Sequence, residues 1–186
     1  MLQPSSVTGT APILVPVDLS AASYEPLQFA AQLAACSSQS LVILHVVHDD
    51  FQQPNIYPRM NDIEQLLPIE EIAERVFQDF VAGMRKRHPD NAVLANAELI
   101  LVCGLPATRI TEVARQIGAD HIVMGSNSRN SLSELIWGSV SRQVIQQSPV
   151  PVTIAHSSKT FVDDASIDVH QSEHRHLRDL TETSCN

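Results

Sequence analysis

The chain has 186 residues, of which 44% are hydrophobic and 18% charged, a balance typical of one globular domain and not of a disordered chain. Its formal net charge is -9 and its only basic run, at 85–87, fits a helix C-terminus, so nucleic acid and anionic membranes are not expected partners. Three widely spaced cysteines without a C-x-x-C pair, no signal-peptide pattern and no apolar run of membrane-spanning length favour the cytoplasm.

The first part of the chain predicts a strand, a helix and a second strand. Residues 12–18 form a nearly continuous apolar run, which is typical of a strand buried on both faces of a parallel sheet. Ser20 is placed to cap a helix that ends at the polar segment 37–40, and residues 41–47 then predict the second strand.

The middle of the chain predicts two further helices and a strand. After a polar insertion at 49–68, Pro68 fits the first turn of a helix with regular apolar spacing. Residues 97–102 predict the third strand, Pro106 opens the next helix, and Gly118 lies where a left-handed C-terminal cap belongs.

The next part predicts a strand, a loop, a helix and a final strand. Residues 120–124 predict strand four, and after a loop rich in Ser and Asn a helix is expected at about 137–147. Residues 149–155 predict strand five, whose prolines suit a sheet edge or a dimer seam better than a sheet centre.

This alternation predicts an α/β fold, an open five-stranded parallel sheet with helices on both faces in a Rossmann-like arrangement. We expect residues 1–10 to be a flexible N-terminus, 11–157 to form the domain and 158–186 to be a disordered tail with few apolar residues to bury. Sheets of this kind bind ligands at the carboxyl ends of their strands.

Two glycines belong to that edge of the predicted sheet. Gly125 follows strand four, and Gly138 begins a helix whose unpaired N–H groups suit phosphate oxygens, with the Ser139 and Ser141 hydroxyls assisting. The G-x-x-x-x-G-K-[ST] phosphate loop is absent, and no G-x-G-x-x-G fingerprint follows strand one. Both absences argue against a motor-type NTPase and a dinucleotide dehydrogenase.

The segment from Gly125 to Ser139 resembles the G-2x-G-9x-G-[ST] nucleotide motif of the universal stress protein family. Other stretches agree with that family in order and place, namely residues 13–20, 44–47, 104–107, 120–126 and 149–152. The resemblance spans residues 11–155 and implies the α/β fold of that family.

The resemblance also implies a ligand and its contacts. In ATP-binding members of the family, the residue matching Asp18 faces the nucleotide, backbone matching Val46 reads adenine, and the loop matching 125–141 wraps ribose and phosphates. ATP, with or without Mg²⁺, is therefore the implied ligand. The implied contact residues are Pro16, Asp18, Val46, Gly125, Asn127, Ser128, Arg129, Gly138, Ser139, Val140 and Ser141.

One position departs from the motif, because its second glycine is Ser128 in this chain and a glycine common slightly later is Ser131. If position 128 requires a positive φ, the serine costs on the order of 1 kcal/mol, whereas with a negative φ its N–H still serves. Arg129 is interpreted either as a phosphate contact that compensates or as a solvated loop arginine.

Several residues also have purely structural interpretations. Asp18 is a candidate cap of the first helix beside Ser20, a role compatible with ligand contact. His45, inside strand two, is interpreted as a hydrogen-bonded buried histidine without a catalytic role, and Cys103 as a small residue at the core edge. No metal site is expected, since the tail histidines have no convincing partner ligands.

The leading hypothesis is a stress-related regulator that binds ATP or a similar adenine nucleotide between strands one and four. Occupancy of this site would alter the state of the dimer or the interaction with an unidentified regulatory protein partner. An apolar edge strand favours pairing, so a homodimer is expected through Val150, Val152 and Ile154. Two alternatives are a nucleotide-free dimeric interaction module and slow ATP hydrolysis or phosphate transfer. Fast ATPase chemistry is not indicated, because few fixed acid or base groups accompany Asp18.

Overall fold

The computed structural model describes residues 10–48, 69–126 and 138–155. The expectations for the N-terminus, the insertion at 49–68, the loop at 127–137 and the tail with its histidines lie outside the described residues. In the three described ranges, no helix is both long enough and apolar enough to cross a membrane.

Five strands form one parallel sheet, with β1 at Ile13–Val17, β2 at Leu41–Val47, β3 at Glu98–Cys103, β4 at His121–Gly125 and β5 at Val152–Ala155. Their spatial order is β3-β2-β1-β4-β5, and each neighbouring pair runs parallel. The predicted five-stranded parallel sheet is confirmed, and β5 lies at an edge of this sheet.

Two strand boundaries differ from the prediction at residues that matter for the site and the edge. Gly125 is the last residue of β4 and not the first residue of the loop. β5 begins at Val152 instead of 149, because the Ser148 hydroxyl donates to the Val150 carbonyl at 2.6 Å and accepts from its N–H at 3.2 Å. This local turn keeps residues 148–150 out of the ladder.

The described helices are α1 (Tyr24–Ser37), α2 (Ile69–Arg87), α3 (Ala92–Ala95), α4 (Pro106–Gln116) and α5 (Ser139–Gln147), and a 3-10 turn at Ala21–Ser23 precedes α1. Four of them match predicted helices, and Gly118 has the predicted left-handed conformation after α4, with φ 61°.

The short helix α3 was missed by the sequence analysis. It begins after Asn91, whose side-chain oxygen accepts a hydrogen bond from the Leu94 N–H at 2.9 Å. An asparagine three residues before such an N–H is a recognised N-cap signal, but the helix has a single turn and no apolar period to reveal it.

The helices cover both faces of the sheet, as predicted. On β1, Ile13, Val15 and Val17 belong to the core that α1 and α2 cover, whereas Leu14 belongs to the core that α4 and α5 cover. Successive side chains of a strand point to opposite faces, so a strand with helices on both sides must be apolar at nearly every position. This explains the continuous apolar run in the sequence of β1.

Candidate functional site

The junction between β1 and β4 is the point where the topology of the sheet reverses. From β1 the chain continues to β2 on one side and later returns as β4 on the other. β1 pairs with β2 as far as Val17 opposite His45, whereas its ladder with β4 joins Ile13 to His121 and Leu14 to Ile122, at the amino ends. Ligands of open α/β sheets bind in the crevice at the carboxyl side of such a junction.

Two hydrogen bonds join the end of β4 to the start of α5 at this edge. The Gly138 N–H donates to the Ser126 carbonyl at 3.0 Å, and the Ser141 hydroxyl donates to the Gly125 carbonyl at 3.0 Å. The sequence assigns the Ser141 hydroxyl to phosphate, but here it is buried and ties α5 to β4. The two ends of the 127–137 loop are therefore held together by the surrounding fold.

The N-terminus of α5 presents main-chain donors at the same place. Gly138 is its N-cap, with φ -57° and ψ 155°, and the Arg142 N–H makes the first helical hydrogen bond, to the Gly138 carbonyl at 3.1 Å. The N–H groups of Ser139, Val140 and Ser141 precede that bond, so they have no acceptor within the helix. Such a helix end suits an anionic ligand such as a phosphate.

Asp18 directly follows β1, and local donors orient its carboxylate. Its Oδ1 accepts from the Ser20 N–H at 3.0 Å, the Ser20 hydroxyl at 2.6 Å and the Ser23 hydroxyl at 2.7 Å. The predicted cap by the Ser20 side chain is not formed, and the Ser20 hydroxyl is directed at Asp18, to which it donates. Asp18 therefore shapes the turn between β1 and α1.

Ser23 was missed by the sequence analysis, although it is part of this arrangement. It is buried, lies in the 3-10 turn, and accepts from the Asp18 N–H at 3.0 Å while donating to the Asp18 carboxylate. The spacing Asp-x-Ser-x-x-Ser in residues 18–23 is the signal that identifies it. This spacing identifies Ser23 only if the chain turns so that residues five positions apart come into contact.

His45 is buried and hydrogen-bonded, as the sequence analysis expects for a histidine inside strand two. Its Nδ1 lies 2.9 Å from the Val17 carbonyl, and its ring packs against Phe77 with centroids 5.8 Å apart. Burial lowers the pKa of the His45 imidazole, although the hydrogen bond to Val17 and the negative charge of Asp18 both act in the opposite direction. The neutral ring is therefore the favoured form at neutral pH.

The other predicted contact residues lie at or near this edge where the structure describes them. Pro16 is in β1 opposite Leu44, and Val46 is in β2, both half-buried. Asn127, Ser128, Arg129 and Ser131 lie outside the described residues. The structure thus brings together Asp18, the end of β4 and the start of α5, and it leaves the middle of the motif undescribed.

A second concavity lies beside this junction, at the carboxyl ends of β2 and β3. It encloses about 320 Å³ and is lined by Val47, His48, Ile69, Glu70, Cys103, Gly104 and Leu105. Cys103 is exposed there, so its interpretation as a core-edge residue was wrong. Within the described ranges, no group of three or more His, Cys, Asp or Glu side chains is arranged to hold a metal ion.

Comparison with known proteins agrees with this architecture. The sequence model of the universal stress protein family matches residues 10–156. The chain belongs to the universal stress protein family.

A family member from Mycobacterium tuberculosis is 31% identical over 146 residues, which make up 78% of this chain and 44% of that protein. One from Methanocaldococcus jannaschii is 26% identical over 149 residues, 76% of this chain and 92% of that protein. The chain thus spans less than half of the mycobacterial protein.

Solved structures of the family have the same fold. A universal stress protein from Archaeoglobus fulgidus matches with a TM-score of 0.57 at 25% identity, covering 78% of this chain and 98% of its own. A structure from the same organism in complex with dAMP has a TM-score of 0.53 at 24% identity, covering 78% and 97%. A universal stress protein in complex with cAMP has a TM-score of 0.53 at 23% identity, covering 81% and 100%.

Proposed function

We propose that this chain binds an adenine nucleotide, with ATP as the leading candidate, at the carboxyl edge between β1 and β4. In this proposal, nucleotide bound at the site regulates the homodimer or a partner protein in the stress response. The observation that carries the proposal is the hydrogen bond from the Gly138 N–H to the Ser126 carbonyl. It places a helix N-terminus at the point where the sheet topology reverses, which is where open parallel sheets bind their ligands, and the helix end favours an anionic one.

The two sides of the junction suit different parts of a nucleotide. The N–H groups of Ser139, Val140 and Ser141 match phosphate oxygens, and Mg²⁺ would enter with the triphosphate. A carboxylate such as Asp18 accepts hydrogen bonds and repels phosphate, so it suits the hydroxyl or amino donors of the nucleoside. The dAMP and cAMP complexes of proteins with the same fold support an adenine nucleotide as the ligand class.

Ser139 offers a direct test, because it is the first residue of α5. Proline fits that position of a helix, and the extended conformation of Gly138 is compatible with a following proline. Ser139→Pro therefore removes one N–H and keeps the helix, while Ser139→Ala removes only the hydroxyl. A hydrogen bond to a charged group is worth about 1.5 to 3 kcal/mol, so we expect Ser139→Pro to weaken ATP binding about tenfold or more.

The measurement is equilibrium binding of labelled ATP to the full chain, with and without Mg²⁺, beside circular dichroism of each variant. Ser139→Ala keeps the N–H and is expected to weaken ATP binding less than Ser139→Pro does. Absence of saturable binding at millimolar ATP contradicts the nucleotide assignment. Equal affinity of the proline variant and the natural chain removes the α5 N-terminus from the site.

The second candidate function is a nucleotide-free dimeric interaction module acting through β5. Its support is geometric: because the Ile122 N–H donates to the Pro151 carbonyl at 3.0 Å, alternate main-chain groups of β5, those of Val152 and Ile154, face away from β4. An edge strand with apolar side chains and outward main-chain groups pairs readily with a second copy. In both proposals the homodimer forms through β5, in the reducing cytoplasm that the scattered cysteines favour.

A further inference from the structure

The peptide group between Val17 and Asp18 is held from both sides by side chains of other segments. His45 Nδ1 lies 2.9 Å from the Val17 carbonyl, and the Asp18 N–H donates to the Ser23 hydroxyl at 3.0 Å. A carbonyl oxygen only accepts, so the His45 ring carries its proton on Nδ1 at this contact. The plane of the peptide that precedes the Asp18 side chain is thereby fixed by β2 and by the 3-10 turn.

The turn after this peptide has an unfavourable backbone conformation. Leu19 has φ 62°, in the left-handed region that residues with a Cβ rarely adopt. Such a conformation persists where surrounding contacts determine it, and here the Asp18 carboxylate accepts from the Ser20 N–H and the Ser23 hydroxyl on the far side of Leu19. The carboxylate is therefore presented by a turn that hydrogen bonds within the chain hold in place.

His45 is itself fixed in place. It is 4% exposed, lies opposite Val17 in the β1–β2 ladder and packs against the Phe77 ring from α2. A buried ring between a strand and a helix has little rotamer freedom, so its Nδ1–H is a rigid donor.

We propose that His45 and Ser23 are positioning residues for nucleotide binding, acting through Asp18 without touching the ligand. The inference rests on the proposed function, in which Asp18 contacts the nucleoside. Holding a contact group in its bound orientation raises affinity because binding then orders fewer groups. The pair consequently sets the affinity for the nucleoside part, while α5 serves the phosphates.

The test compares ATP dissociation constants of full-length variants. His45→Leu keeps the apolar bulk but loses the donor, and His45→Asn restores a side-chain N–H near the position of Nδ1. Ser23→Ala loses the hydroxyl that Ser23→Thr retains. One lost positioning hydrogen bond corresponds to about fivefold weaker binding, which we expect for the Leu and Ala variants, with Asn and Thr within about twofold of the natural chain.

His121→Leu is the matched control. His121 is also in the sheet and hydrogen-bonds through its Nε2 to the Thr153 hydroxyl, but it lies at the amino end of β4, away from the site. We expect its loss to leave ATP affinity unchanged. A decrease equal to that of His45→Leu would show that the loss of any hydrogen-bonded histidine of the sheet weakens binding, and it would overturn the inference.

A double-mutant cycle with Asp18→Ala separates positioning from general damage. If His45 acts through Asp18, His45→Leu has no further effect once the carboxylate is gone. A fivefold loss that persists in the Asp18→Ala background contradicts the inference, as does unchanged affinity of Ser23→Ala and His45→Leu in the natural background. Failure of the natural chain to bind ATP overturns the proposed function first and this inference with it.

Discussion

The Ser141 hydroxyl donates a hydrogen bond to the main-chain carbonyl of Gly125 at 3.0 Å, which joins the third residue of α5 to the last residue of β4. Ser141 is 2% exposed, so the bond is sheltered from water. This contact holds the α5 N-terminus against the carboxyl end of the sheet, where the proposed phosphate site lies.

We expect Ser141→Ala to lower the free energy of unfolding by about 1 to 2 kcal/mol, since it leaves the Gly125 carbonyl without this donor. Ser139→Ala, two residues away on the exposed side of the same helix, should change it by less than about 0.5 kcal/mol. Urea unfolding followed by circular dichroism measures both. Equal effects of the two substitutions would show that the Ser141 bond contributes nothing specific.

Substitution by alanine is expected to change the stability in opposite directions at two glycines. Gly104 has φ 134°, and a Cβ there would lie 2.8 Å from Arg109 Nε, which donates to the Cys103 carbonyl at 2.9 Å. Gly104→Ala should therefore destabilise by about 1 to 3 kcal/mol. Gly83 is inside α2, and a Cβ there meets nothing within 4 Å, so Gly83→Ala should stabilise by about 0.5 to 1 kcal/mol. Thermal unfolding measures both changes in stability. Two changes in the same direction would contradict the inference that backbone conformation and space for a Cβ decide the effect.

His45 predicts a dependence of stability on pH. Burial lowers its pKa in the folded protein below the unfolded value of about 6.5, so the unfolded chain binds more protons in the window between the two values. The His45 contribution is complete above pH 6.5 and is lost as the pH falls from about 6.5 through the folded pKa. His45→Asn removes this contribution.

The measurement is urea unfolding of the natural chain and His45→Asn at several pH values between 7.5 and about 5. Because all other titrating groups are shared, the difference between the two free energies isolates His45. We expect that difference to be constant above about pH 6.5 and to shift against the natural chain at lower pH. A difference that does not vary with pH would show that the ring does not titrate as its burial requires.

The proposed dimer predicts a position-specific effect of proline in β5. Val152→Pro removes a main-chain N–H that faces away from β4, and edge strands tolerate proline there. A symmetric dimer loses two such hydrogen bonds, about 2 kcal/mol in total, so its dissociation constant should rise about thirtyfold. Val152→Ala keeps the N–H and is the control for the lost side chain. Sedimentation equilibrium measures both, and a proline variant as dimeric as the control contradicts β5 pairing.

Much of the fold could be predicted because its signals are local. The apolar run of β1, the periodic apolar positions of α2 and Pro106 at the start of α4 each depend on neighbouring residues. Gly118 in its left-handed cap and β5 at an edge follow from the chemistry of single residue types. Local chemistry likewise indicated the helix end at Gly138.

The rest of the site was decided by contacts between residues that are distant in the chain. His45 reaches the Val17 carbonyl across 28 positions, and Ser141 reaches Gly125 across 16. A histidine in a strand or a serine in a helix has the same local sequence signal whether its partner is solvent or a carbonyl of a neighbouring element. The sequence by itself therefore determined the five parallel strands and the four longer helices of the described residues, and with them the carboxyl edge of the sheet. Only the tertiary structure decided how that edge is held, since a hydrogen bond depends on distance and angle in space.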